Sequence, residues 1–166
     1  PGEVVESLYS AMRIAGLEVA GLTLEPIAAI NVTIPEKLRL LNLAMVDIGA
    51  GTSDIAVCRD GKVVGYTMAT LAGDEITESI MKAYLVDFDT AEAIKQQLGK
   101  TEDVIFQDIL GYEQRYSPGQ VLAMLEESIT RLGQEIGKRI LEVNAGPPSA
   151  VFLAGGGKIG RASCRE

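Results

Sequence analysis

The sequence predicts an α/β fold in two lobes, on three observations. Two short apolar runs with strand character, LAMVDI at 43–48 and SAVFLA at 149–154, lie far apart in the chain. Each runs directly into a glycine-rich turn. Between them, past Gly73, the pattern becomes helical. Continuous apolar runs of this length suit strands buried on both faces. The strands therefore form one layer, residues 1–73 with 147–166, into which a mainly helical block, residues 74–146, is inserted.

The elements follow in order. Residues 3–16 carry Val5, Leu8, Met12 and Ala15 at helical spacing, with Gly16 as a stop. Residues 17–26, LEVAGLTLEP, read as a strand, and 27–41 as mixed helix and loop broken at Pro35. Strands are expected at 43–48, 53–59 and 62–71. Asp60-Gly61 joins the last two as a two-residue hairpin turn, since a type I′ turn needs positive φ. Helices follow at 74–86 and 90–98, each acidic at its start, and 103–110 is strand-like. Pro118 opens a long helix to Asn144, closed by Gly146-Pro147-Pro148. Its stripe Leu122, Leu125, Ile129, Leu132, Ile136, Ile140 and Val143 is expected in the core.

Composition removes several function classes. A net charge of -8 argues against a nucleic-acid surface, which needs clustered Lys and Arg. With no histidine there is no Ser-His or Cys-His nucleophile pair and no His-based zinc site. Cys58 and Cys164 form no CxxC and fit a reduced, cytoplasmic setting. No apolar run approaches the roughly 20 residues that span a bilayer. Pro1-Gly2-Glu3 and the abrupt polar end at Glu166 read as cut ends of a longer chain.

Three turns carry the chemistry. In Asp47-Ile-Gly-Ala-Gly-Thr-Ser-Asp54, glycines at 49 and 51 let backbone amides approach an anion, and Thr52 adds a hydroxyl donor. Asp47 stands where a carboxylate can reach a divalent cation, usually through water, or orient an attacking water. The same residues also describe a tight turn in which glycines serve geometry and aspartates cap. Gly73-Asp74-Glu75 marks a helix start with Asp74 as its N-cap. Its two carboxylates would repel bare phosphate, so a cation intervenes or the Gly73 backbone makes the contact. Gly155-Gly156-Gly157-Lys158-Ile159-Gly160 formally matches GxGxxG after a strand, but the acidic residue expected about 20 positions on lies past the end of the chain. A P-loop fails, because Phe152 replaces its first glycine. Those glycines instead let a base or ribose lie against the backbone. Glu92 and Lys95, at i and i+3, read by themselves as a surface ion pair of at most about 0.5 kcal/mol.

Taken together these motifs resemble the actin-like ATPase superfamily, which includes sugar kinases and heat-shock chaperone ATPases. VDIGAGTSDIAV resembles its second phosphate motif, LEPIAAI its connecting helix and AVFLAGGGKIG its adenosine motif, in the family's order. AMRIAGLEVAGLTLEPIAAI, TLAGDEITESI and TAEAIKQQLG look most like the FtsA branch of cell-division proteins and the related PilM pilus-assembly proteins.

The resemblance implies a ribonuclease H-like, actin-type ATPase half, with the layer as subdomain IIA and the insertion as subdomain IIB. It implies ATP and Mg²⁺ as ligands. Asp47 would serve the Mg²⁺ shell or position the water. Gly49, Ala50, Gly51 and Thr52 would bind the β- and γ-phosphates, with Thr52 beside the reacting group and Asp54 supporting the loop. Gly73 and Asp74 would lie near the inner phosphate or ribose. Glu92 and Lys95 match an E-x-x-K pair that contacts ribose and adenine, and Gly155, Gly156, Gly157 and Lys158 would flank the adenosine. The family's first phosphate motif, a DxGxxxxK-like hairpin, has no counterpart here, so the expected partner is an N-terminal half closing the cleft. Beyond it, self-association or a division or assembly protein is expected, with no membrane segment in this chain. A chaperone-like or reactivating-factor ATPase half and a non-hydrolysing actin-fold scaffold are the alternatives.

Overall fold

The computed structural model describes residues 2–99 and 102–157. Four strands form the main sheet in the order β3-β2-β1-β6: β1 (Leu43–Ile48), β2 (Ser53–Arg59), β3 (Lys62–Ala69) and β6 (Ala150–Ala154). The first three make an antiparallel meander, and β6 lies parallel to β1. At the β2–β3 turn, Asp60 and Gly61 have φ of 51° and 76°, both positive as a type I′ turn requires.

The apolar run of β1 serves two faces, because alternate side chains of a strand point to opposite sides. Ala44, Val46 and Ile48, with Ile55 and Val57, pack against Leu132, Ile136 and Ile140 of helix α5 (Pro118–Asn144). Leu43, Met45, Ala56 and Cys58 pack against Ile30 and Ile34, from and just beyond helix α2 (Glu25–Thr33). A third cluster lies in the insertion. There α3 (Gly73–Tyr84), α4 (Phe88–Gln97), β4 (Val104–Gln107) and the first turns of α5 contribute Ile76, Ile80, Ala91, Ile94, Val104, Val121 and Leu125. β5 (Glu113–Tyr116) pairs antiparallel with β4.

Helix α5 belongs to two cores and passes from one to the other between Leu125 and Leu132. It starts on a capping box, with Ser117 Oγ accepting from the Gln120 amide and the Gln120 side chain accepting from the Ser117 amide. Its buried stripe differs from the sequence expectation at two points. Leu122 and Ile129 are exposed, and Val121 is buried instead. A position one residue off the stripe lies about 100° around the helix, which is enough to turn it out of the core. At the crossing between the cores the stripe is polar: Ser128 Oγ meets Ser79 Oγ of α3 at 2.7 Å.

The strand expected at 17–26 does not form. Residues 17–24 are exposed and unladdered apart from a half-buried Val19, and α2 begins at Glu25. Alternating apolar residues favour extended backbone, but a strand also needs a neighbour for its N–H and C=O groups. Helix α1 (Gly2–Ile14) buries none of its residues and leaves Val4, Leu8 and Met12 exposed. Among the described residues no helix is long and apolar enough to cross a membrane.

Candidate functional site

Three turns meet at the C-terminal ends of β1 and β6. The turn after β1 closes on itself, with the Gly49 amide donating to the Thr52 carbonyl at 2.9 Å. Its carbonyls are then taken by the other two turns. Gly157 N–H donates to Ile48 O at 2.8 Å, Gly73 N–H to Gly49 O at 3.0 Å and Asp74 N–H to Ala50 O at 2.8 Å. Carbonyls thus point into the protein. Among the described residues the amides of Ala50, Gly51 and Thr52 donate to no protein acceptor. Ala50, Gly51 and Thr52 are all exposed.

This convergence needs missing side chains. A Cβ on Gly155 (φ 93°) would collide with the Ile48 carbonyl oxygen and with Asp47 Oδ1. A Cβ on Gly157 would collide with the Gly49 carbonyl oxygen, and one on Gly73 would sit 3.0 Å from both Gly157 Cα and Gly49 O. Gly156 is different. A Cβ there meets nothing within 4 Å, so the outer face of the 155–157 bend is open.

The Asp47 carboxylate is half-buried against that bend. Asp54 stands opposite Asp47 in the β1–β2 ladder, which puts both on one face of the sheet. Asp54 accepts a hydrogen bond from the Tyr66 hydroxyl. That bond, followed by desolvation and the Asp54 charge, pushes the Tyr66 phenol up to about 12. Asp74 is not the N-cap of α3. Ala72 holds that position without a side-chain cap, because the first amides of the helix are satisfied by Gly49 and Ala50. Asp74 instead lies in the first turn, with Oδ2 3.9 Å from where a Gly51 Cβ would be.

Glu92 and Lys95 are not a surface pair. Side-chain exposure is 28% for Glu92 and 9% for Lys95. Lys95 Nζ donates to Gly73 O at 3.2 Å, to Thr77 Oγ1 at 2.7 Å and to Glu92 Oε1. Thr77, fully buried on α3, also bonds Glu92 Oε1. Burial alone would raise the Glu92 carboxyl, but the Lys95 and Thr77 bonds together hold it below its usual value. The inserted block is thereby tied to Gly73, and through Gly73 to the turn after β1.

The structure brings together Asp47, Gly49, Ala50, Gly51, Thr52, Gly73, Asp74, Gly155, Gly156 and Gly157, with Lys95 one hydrogen bond further out and Glu92 one beyond it. Lys158 lies outside the described residues. Two residues are new to the site. Thr77 had only its place four residues after Gly73 to mark it, and Tyr66 only its place in β3.

Comparisons with known proteins give the chain's family and fold. The family model for the cell division protein FtsA matches residues 44–148. The FtsA of Bacillus subtilis (strain 168) is 27% identical over 146 residues, covering 80% of this chain and 33% of that protein. The FtsA of Escherichia coli (strain K12) is 29% identical over 150 residues, covering 85% of this chain and 36% of that protein. The chain thus spans about a third of the length of these curated relatives. Among solved structures, MreB 5 of Spiroplasma citri bound to AMPPNP matches with a TM-score of 0.70 at 21% identity, covering 94% of this chain and 54% of that one. A PilM–PilN type IV pilus biogenesis complex matches with a TM-score of 0.69 at 22% identity, covering 94% of this chain and 41% of that one. The fold is that of the actin-like ATPase domains, and the chain belongs to the FtsA family of cell division proteins.

Proposed function

We propose that the chain is the ATP-binding half of an FtsA-type cell-division protein, with Mg-ATP held between it and an N-terminal half. The observation that carries this reading is the meeting of the three glycine turns, with carbonyls engaged inward and the amides of Ala50, Gly51 and Thr52 unengaged. Outward amides with no internal acceptor suit phosphate oxygens. An open glycine face at 156 suits a flat base or ribose. Solved relatives of the same fold carry AMPPNP and ADP.

The residues also fit a magnesium ion. Among the described residues no group of three or more Asp, Glu, His or Cys side chains could hold a metal. Mg²⁺ is commonly bound by one or two carboxylates together with substrate phosphates and water. Asp47 would hold its shell or orient the attacking water, and Thr52 would bond the terminal phosphate. The ion would supply charge neutralisation on the phosphate oxygens. Asp54, held by Tyr66, would support the turn, and the resemblance implies Lys158 for the adenosine side. In this reading subdomain IIA is 1–73 with 147–166, subdomain IIB is 74–146, and α5 runs from one into the other. The nucleotide state would bias self-association or the docking of a division protein on the cytoplasmic side of the membrane.

Crosslinking with photoreactive ATP tests the reading. Label is expected in the segments 49–52 and 155–158, competed by excess Mg-ATP. Label confined to other segments, or not competed, would overturn it.

A further inference from the structure

Asp47 and Asp54 are two half-buried carboxylates directly opposite each other in the β1–β2 ladder. Side chains so placed have Cβ atoms about 4.5–5.5 Å apart, and like charges there repel. The separation also lets both carboxylates reach one cation. Among the described residues the one side-chain donor to this pair is the Tyr66 hydroxyl, which bonds Asp54 Oδ1. Tyr66 stands on β3 and Asp47 on β1, on either side of β2. Asp54 is therefore held from the strand away from Asp47. An extra residue in β3 makes the bond possible. Val57 pairs with Gly65 and Cys58 with Val63, which leaves Val64 unmatched. Without it Tyr66 would lie on the other face of the sheet from Asp54. The phenol, pushed up to about 12 first by its bond to Asp54, stays protonated and donating at neutral pH.

We propose that Tyr66 is a positioning residue that makes divalent-cation binding at Asp47 depend on the nucleotide. By holding Asp54 toward β3 it keeps the second carboxylate from joining the first around a bare cation. One carboxylate is a poor site by itself, and phosphate oxygens then have to complete the shell, the usual arrangement for Mg²⁺. Released, Asp54 would turn toward Asp47, and the pair would take a cation such as Ca²⁺ or Mn²⁺ without any phosphate. The proposal rests on the nucleotide reading above and adds to it a residue from outside the three turns.

The test is calorimetric titration of the complete, nucleotide-free protein with Ca²⁺, with Mn²⁺ and, separately, with Mg-ATP. Tyr66→Phe keeps the half-exposed ring and removes the donor. It should bind the bare cations about tenfold more tightly than the wild type, the worth of one hydrogen bond to a charged group. Adding Asp54→Asn to Tyr66→Phe should abolish the gain, because the second carboxylate is then gone. A merely structural role for the phenol would weaken Mg-ATP binding and raise no cation affinity. Equal cation affinity in the wild type and Tyr66→Phe, or a gain that survives Asp54→Asn, overturns the proposal while nucleotide binding stands. A wild type that does not bind Mg-ATP overturns both.

Discussion

At the scale of single residues, the site rests on which glycines touch backbone and which face outward. Gly155 has φ of 93° and no room for a Cβ, since the Ile48 carbonyl and the Asp47 carboxylate occupy that space. Backbone carbonyls cannot move aside as a flexible side-chain end can. Gly155→Ala should therefore cost on the order of 1–3 kcal/mol, from overpacking and positive-φ strain together. Gly156, one residue on, is open, and Gly156→Ala should change stability by no more than about 0.5 kcal/mol. Urea midpoints of the two variants check the contrast, and equal losses would show that the bend does not seat as described. The sequence showed three adjacent glycines and could not rank them, because the ranking depends on which carbonyls stand opposite. Tyr66 was hidden for a different reason. Counting back from the Asp60-Gly61 turn puts Thr67 opposite Asp54 and Tyr66 on the other face. The register shift at Val57/Cys58 instead sets Asp54 opposite Met68 and Ala56 opposite Tyr66. One extra residue in β3 flips the parity and brings the phenol onto the face of Asp54.

At the scale of elements, α3 and α4 are held together by the Thr77–Glu92–Lys95 network as well as by their apolar contacts. This link has a pH signature. The folded Glu92 carboxyl lies below its ordinary value of 4.5, with burial opposing the shift and the two side-chain bonds outweighing it. A depressed carboxyl pKa contributes stability that is fully present above the unfolded value and lost as pH falls through the folded one. The contribution should fade below about pH 4.5. Glu92→Gln should be less stable than the wild type at neutral pH, with the gap narrowing as the solution is acidified below that point. Denaturation midpoints at pH 7, 5, 4 and 3 measure it, and a gap that stays constant would show that the carboxylate charge is not involved. The helices themselves were legible, since their periodicity and start signals are local. That Glu92 and Lys95 face inward was not, because an i, i+3 pair looks the same on any face. The segment 17–26 failed for a related reason. Its alternation is real, but the neighbouring strand it would pair with is not encoded in the segment, and none of the described strands pairs with it.

At the scale of the whole molecule, the sheet and the inserted block each have a core, and α5 is the element common to both. The turns meet at one end of the sheet, where they form a wall. Phosphoryl transfer in a loose transition state depends on charge stabilisation and in-line positioning of the attacking water, supplied from several directions at once. In the proposed reading Asp47 and the amides of residues 50–52 would supply one of those directions. The chain spans about a third of its curated relatives, and Thr52 is exposed. The 166-residue chain alone is therefore expected to hydrolyse ATP at the rate of buffer with Mg²⁺, even where it can be crosslinked to the nucleotide. Phosphate release measured with and without the chain, alongside Asp47→Ala, decides this. A rate above background that survives purification and vanishes in Asp47→Ala would mean that a single wall suffices, and the two-sided account of the site would be wrong. Background rates in both proteins, with turnover only when an N-terminal half is supplied, would locate the missing positioning groups across the cleft.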